Sequence, residues 1–136
     1  MRVVLDTNIF LSALISPHET ANAIYRTWRA GKFDVVTSRI QLDELRRASR
    51  YPKFKSILQP MKVGAMINNL QHAIILERLD LKAEAADPND SFLISMCVEG
   101  SADYLVTGDH RAGLLKTKKI ENTRVLTPAD FCSKVI

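Results

Sequence analysis

The chain has 136 residues, of which 46% are hydrophobic and 25% charged, so it is long and apolar enough to form the core of one folded domain. This composition excludes an intrinsically disordered chain. Lysine and arginine number 19 against 15 acidic residues, and the resulting net charge of +4 is compatible with a polyanionic partner without requiring one.

The cysteines and the hydropathy indicate where the protein works. Cys97 and Cys132 lie in apolar segments without metal-ligand spacing, so we expect reduced, packed thiols rather than a disulfide or a zinc site, which fits a reducing cytoplasm. The apolar run after Arg2 is interrupted by Asp6 and Asn8, which argues against a signal peptide. No segment reaches the ~18 uninterrupted apolar residues of a membrane span. We therefore expect a soluble, cytoplasmic protein with no membrane contact.

The first element is a run of β-branched and aliphatic residues that ends at Asp6. Such a run predicts a strand buried on both faces at the centre of an α/β sheet. In open parallel sheets ligands bind at the carboxyl ends of the strands, which makes Asp6 a candidate site residue. Asp6 or Thr7 could instead only cap the helix that we predict from near Ile9, because these residue types are common helix caps.

A helix is predicted over residues 20–30, with Gly31 just past its end as a C-cap glycine. Tyr25 and Trp28 recur at helical spacing. We interpret them as core residues rather than as a platform for stacked bases.

A second strand is predicted over residues 33–37, followed by a helix over residues 39–49 that Ser38 caps. Glu44 lies on this helix beside small or apolar groups at i, i+4 spacing. A solvated glutamate is the ordinary interpretation, and periodicity does not favour Glu44 over Asp43 as a site residue.

A basic stretch overlaps the end of this helix and continues beyond it. It can follow a phosphate backbone, whose binding is dominated by lysine and arginine, or it can be a solvated surface, and the sequence leaves both open. The residues are Arg46, Arg47, Arg50, Lys53, Lys55 and Lys62, interleaved with Tyr51 and Phe54.

The second half continues the alternation of helices and strands. Alternation throughout indicates a parallel sheet covered by helices on both faces, in a single domain of residues 1–136. The predicted elements are helices over residues 60–72 and 128–135, a further helix closed by Gly100, and strands over residues 73–76, 102–107 and 124–126.

The segment Asp87-Pro88-Asn89-Asp90 has the composition of a helix start, with Asp87 as the N-cap and proline in the first turn. Asp90 falls on the helix stripe that should face the sheet. A carboxylate in that position needs partners, and a metal ion is one class of partner.

Four acids therefore stand out: Asp6, Asp90 and Asp109 at the ends of their elements, and Glu44 on its helix. Carboxylates that converge in a small volume repel one another unless a cation is present. Ligation by oxygen alone, without histidine or cysteine, suits Mg²⁺ or Mn²⁺. Such ions activate water and neutralise the charge that grows on a phosphodiester during cleavage.

Four segments also carry a family resemblance. VVLDTNIFLSAL, TSRIQLDELRR followed by YPKF, DPNDSFLI and YLVTGDHRAGLL resemble the successive motifs of the PIN domain, in its toxin-like branch, and keep their order along nearly the whole chain. The family's glutamate precedes a leucine, here Leu45, so the resemblance favours Glu44 over Asp43. Asp87 lies outside the matched acids. We interpret it first as a helix N-cap and second as a group that supports the metal ligands. Carried over by position, the family's acids are Asp6, Glu44, Asp90 and Asp109, with Asn8, Ser38 and Thr107 as orienting or water-holding neighbours.

The resemblance implies an α/β/α sandwich with a central parallel sheet of about five strands. It implies an Mg²⁺- or Mn²⁺-dependent endoribonuclease that cleaves single-stranded RNA. We further expect the basic residues near Arg46, Arg47 and Lys116 to hold the strand. The resemblance also suggests the toxin of a toxin–antitoxin pair, with a cognate antitoxin and a second copy of the chain as partners. The alternative is a catalytically silent PIN fold that binds RNA or protein. A nucleotide-binding protein is disfavoured because no glycine-rich phosphate-binding motif is present.

Overall fold

The structure is a computed structural model and describes residues 1–16, 19–79, 91–108 and 119–136. In these residues strands and helices alternate along the chain, as the sequence predicts. In order, the elements are β1 (Arg2–Leu5), α1 (Thr7–Ile15), α2 (Thr20–Arg29), β2 (Asp34–Ser38), α3 (Arg39–Ala48), α4 (Pro52–Lys55), α5 (Pro60–Leu70), β3 (Ile74–Leu76), α6 (Ser91–Glu99), β4 (Tyr104–Val106), β5 (Lys119–Ile120), β6 (Thr123–Leu126) and α7 (Pro128–Lys134).

The strands form one sheet in the order β3-β2-β1-β4-β6-β5. The first five are parallel to one another, and the two-residue strand β5 pairs antiparallel with β6 at the edge. Apolar clusters cover both faces, with α1, α2, α3, α5 and α7 on one side and α6 on the other. The predicted α/β/α sandwich with about five parallel strands is confirmed, and β5 adds an edge strand that the sequence did not predict.

Strand β1 lies inside the sheet, paired with β2 on one side and β4 on the other. Successive side chains of a strand point to opposite faces. Val3 and Leu5 accordingly join one apolar cluster and Val4 joins the other, and all three are fully buried. Burial on both faces explains the continuous apolar run, and it places Asp6 at the middle of one edge of the sheet.

The end of α2 follows local chemistry that the sequence displays. Gly31 adopts a φ of 81°. Its amide donates to the Trp28 carbonyl (2.8 Å) and that of Lys32 to the Thr27 carbonyl (3.3 Å), which is the Schellman arrangement. The helix's aromatic residues are core residues as expected, since Trp28 is buried and Tyr25 packs against the same cluster.

Two helices differ from the prediction. Helix α1 begins at Thr7, earlier than expected, because Asp6 caps it. Helix α4 lies within the basic stretch, starts with Pro52 in its first turn and ends at Lys55. Four residues are too few for a periodic apolar pattern to reveal a helix.

Both cysteines are free thiols, as the sequence predicts. Cys97 is buried, and the loss of solvation raises the pKa of its thiol to about 12. Cys132 is partly buried, and the same cause raises its pKa. In the parts of the chain that the structure covers, every helix is too short or too polar to cross a membrane.

A buried glutamine connects α3 to the two strands β1 and β2. Gln41 is fully buried; its Nε2 donates to the carbonyl oxygen of Leu5 (2.7 Å), and its Oε1 accepts from Thr37 Oγ1 (2.6 Å). The sequence pattern S-x-x-Q would allow this side chain to return to its own helix cap, but it crosses to β1 instead. Because Leu5 directly precedes Asp6, these bonds fix the start of α3 against the end of β1.

We expect Gln41→Leu to lower the free energy of unfolding by about 2–4 kcal/mol. The Leu5 carbonyl and the Thr37 hydroxyl would each lose a partner in a buried setting, which costs about 1–3 kcal/mol per group. The measurement is urea unfolding followed by circular dichroism. The matched control is Gln71→Leu, at an exposed position, which should change the stability by no more than about 0.5 kcal/mol. Equal stability of the Gln41 variant and wild type would contradict the bridging role.

Candidate active site

The sheet has a topological switch point between β1 and β4. From β1 the chain continues through β2 and β3 on one side, whereas β4 and β6 lie on the other side. In such sheets a crevice opens at the carboxyl ends of the two strands where the order reverses. Asp6 directly follows β1 and Thr107 directly follows β4, so the structure brings these two predicted site residues to this crevice.

Hydrogen bonds from described residues on both sides hold the carboxylate of Asp6. Its Oδ2 accepts from Thr107 Oγ1 at 2.8 Å, and its Oδ1 accepts from the backbone amide of Asn8 at 3.3 Å. The amide of Asp6 itself donates to the carbonyl of Val106 at 3.0 Å, which extends the β1–β4 pairing by one step. The cap that the sequence offered as an alternative to a site role is therefore present. A carboxylate oxygen accepts more than one bond, so capping orients Asp6 without excluding a cation.

Glu44 lies at the edge of the buried face of α3. It comes three residues after Gln41 and four before Ala48, both of which are buried, and it is itself half-buried. The neighbouring Asp43 is exposed, and its carboxylate pairs with Arg46 at 3.2 Å. The surroundings of the two acids therefore differ in the way expected if Glu44, rather than Asp43, belongs to a site.

Ser38 supports the helix that carries Glu44. It is fully buried, and its Oγ accepts from the Gln41 amide at 3.1 Å, which confirms the predicted N-cap. The same hydroxyl donates to Met96 Sδ at 3.3 Å. Its contribution to the site is therefore to fix the start of α3, which packs against α1.

An open cavity of about 770 Å³ adjoins Asp6, within the size range of ligand sites. Two of its residues are charged and were not among the predicted site residues. The sequence named Lys53 only as one member of the basic stretch, and no pattern singles out Glu19. The described residues that line the cavity near Asp6 include Asn8, Ser12, Glu19, Lys53 and Gly108.

The two arginines proposed to hold a strand face other surfaces. Arg46 lines a separate groove of about 370 Å³ beside α5, together with Arg50 and Lys55. Arg47 is exposed and lies in a shallow surface hollow of α3 that also includes Asp43 and Arg46. Within the described chain, neither Arg46 nor Arg47 borders the Asp6 cavity.

Four of the predicted residues, Asp87, Asp90, Asp109 and Lys116, lie outside the described residues. Within the described ranges, no three acidic, histidine or cysteine side chains form a group that could hold a metal ion. Glu44 is not among the described residues that line the Asp6 cavity. The oxygen atoms beside Asp6 belong to carboxylate, hydroxyl and amide groups, a set that fits Mg²⁺ or Mn²⁺. Thr7, between Asp6 and Asn8, adds a buried hydroxyl without a hydrogen-bond partner in this part of the structure.

The comparisons with known proteins agree with this fold. No curated protein matches the chain. Its fold is similar to the crystal structure of VapBC2 from Rickettsia felis bound to a DNA fragment from their promoter. The TM-score is 0.59 at 21% identity, over 93% of this chain and 98% of that one. The model of the PIN domain matches residues 2–111. Because that match spans well over half of the sequence, the chain belongs to the PIN domain family.

Proposed function

We propose that the protein is a metal-dependent endoribonuclease that cleaves single-stranded RNA. The observation that carries the proposal is the position of Asp6, a buried carboxylate held by Thr107 at the switch point of the sheet, where it lines an open cavity. Nuclease activity is the general property of PIN domains, which supports the same reaction class.

In this proposal Asp6, Asp90 and Asp109 hold Mg²⁺ or Mn²⁺, and Glu44 either completes the set of metal ligands or positions the attacking water. Such an ion, when bound, lowers the pKa of water and offsets the charge that develops on a phosphodiester. Thr107 and the amide of Asn8 keep the Asp6 carboxylate in one orientation. The expected products of in-line attack by water carry a 5′-phosphate and a 3′-hydroxyl.

The biological role that we propose is the toxin of a toxin–antitoxin pair. The similar structure is described as the VapBC2 complex of Rickettsia felis, and its likeness in fold supports a cognate antitoxin as a partner. A homodimer is the second assembly that we propose from the family resemblance. The free thiols are in keeping with a cytoplasmic location.

We expect Asp6→Asn to lower Mn²⁺-dependent cleavage of a labelled single-stranded RNA by at least about 100-fold. Loss of a group that only orients a metal ligand already lowers metal affinity or activity by about 10–100-fold. Asparagine can still cap α1, so the thermal unfolding midpoint should change little. Equal cleavage by Asp6→Asn and wild type would refute the assignment of Asp6.

Metal titration by calorimetry separates this proposal from the catalytically silent alternative. Wild type should bind Mn²⁺ and the Asp6→Asn variant should bind it more weakly. A folded wild-type protein that binds no divalent ion would favour the silent RNA- or protein-binding module.

Glu44 and Asp43 form a matched pair, because they are adjacent acids on one helix with different surroundings. We expect Glu44→Gln to lower cleavage by about 100-fold, as for loss of a group that activates water. Asp43→Asn removes only an exposed ion pair and should leave cleavage within about twofold. The readout is the initial rate on the same labelled RNA. A larger loss in the Asp43 variant would reverse the assignment.

A further inference from the structure

The basic stretch divides between two surfaces. Arg46, Arg50 and Lys55 line the groove beside α5, whereas Lys53 lines the cavity that contains Asp6. Lys53 and Lys55 are two residues apart on α4, which is about 200° around a helix. Their side chains therefore leave the helix on opposite sides, and one short helix presents one lysine to each surface.

Backbone hydrogen bonds form α4, and the Phe54 side chain anchors it to the core. The amides of Phe54 and Lys55 donate to the Tyr51 carbonyl at 2.8 and 2.9 Å, and Phe54 packs against the apolar cluster that includes buried Leu58. Lys53 Nζ lies 5.3 Å from the centroid of the Phe54 ring, within cation–π range. The ammonium of Lys53 is thus exposed to solvent but restricted in position.

The acidic wall of this cavity means that a phosphate inside it needs a positive charge nearby. This wall carries the carboxylates of Asp6 and exposed Glu19. A phosphate backbone that entered the cavity would be repelled by Glu19, and also by Asp6 when no metal ion is bound there. Across the described ranges, Lys53 pairs with no carboxylate. A lysine ammonium binds phosphate as a point charge. Lys53 can therefore offset the repulsion of the acidic wall by contact with a phosphate.

Uncharged side chains of α1 supply hydrogen-bonding groups to the same cavity. Asn8 and Ser12, and Ser16 just after the helix, follow at four-residue spacing and line the same cavity. Amide and hydroxyl groups suit the hydrogen-bonding edges of ribose and bases. A cation beside neutral hydrogen-bonding groups fits a strand of nucleic acid better than a small inorganic anion.

We propose that Lys53 binds a backbone phosphate of the RNA strand, next to the phosphodiester that is cleaved. This inference rests on the proposed endoribonuclease function and names the residue that holds the substrate at the Asp6 cavity. Lys55 takes no part in this contact.

The experiment compares Lys53→Ala with its matched control Lys55→Ala on a labelled single-stranded RNA with Mn²⁺. Lys53→Ala should raise KM about tenfold, as for loss of one charge-assisted hydrogen bond, with kcat within about twofold. Lys55→Ala should leave KM within about twofold, and Lys53→Arg should restore most of the affinity. Both lysines are exposed, so thermal unfolding should not change. The salt dependence of RNA binding is measured in EDTA. The plot of the logarithm of the binding constant against the logarithm of the salt concentration should be less steep by about 0.7 for Lys53→Ala, and unchanged for Lys55→Ala.

The outcomes separate this inference from the proposed function. If wild type cleaves RNA and the two alanine variants behave alike, the role of Lys53 is refuted and the nuclease function stands. If wild type binds RNA but does not cleave it in the presence of any divalent ion, the nuclease function fails. The Lys53 contact then stands only if Lys53→Ala binds more weakly than Lys55→Ala. A wild type that neither binds nor cleaves RNA overturns both.

Discussion

The reversal of strand order beside β1 determines where a crevice opens at the edge of the sheet. β1 is buried on both faces. The polar residues that follow it, beginning with Asp6, therefore lie at its carboxyl end, beside the end of β4. The hydrogen bond of 2.8 Å from Thr107 to Asp6 joins the two chain segments that leave these strands. A carboxylate is thereby fixed at the edge of the sheet where a crevice is available.

Helix α3 depends on the same strand for its position. Gln41 binds the carbonyl of Leu5, the residue before Asp6, and Glu44 follows almost one turn later at the edge of the buried face. Asp43 points to solvent and pairs with Arg46. Two adjacent acids thus have different environments because the helix has only one buried face. In the proposed site, acids that converge on Asp6 would repel one another, and a bound divalent cation would keep them charged.

Short-range patterns predicted much of this architecture. The apolar run before Asp6 predicted the central strand, and Ser38 and Gly31 predicted helix ends, because a cap is determined by neighbouring residues. The direction of the Gln41 side chain and the surface that Lys53 faces depend on which elements become neighbours in three dimensions. Neither can be read from local spacing, and both bear directly on how the candidate site is built.

In the proposed function Asp6 is a metal ligand and not only a helix cap. The most direct measurement is anomalous diffraction from crystals of the protein grown or soaked with Mn²⁺. A manganese peak about 2.0–2.2 Å from a carboxylate oxygen of Asp6, with Glu44 directed at the same ion or its water, is the predicted result. A well-ordered Asp6 that contacts Thr107 and the Asn8 amide but no metal ion, with manganese absent or bound elsewhere, would show that Asp6 is not a metal ligand.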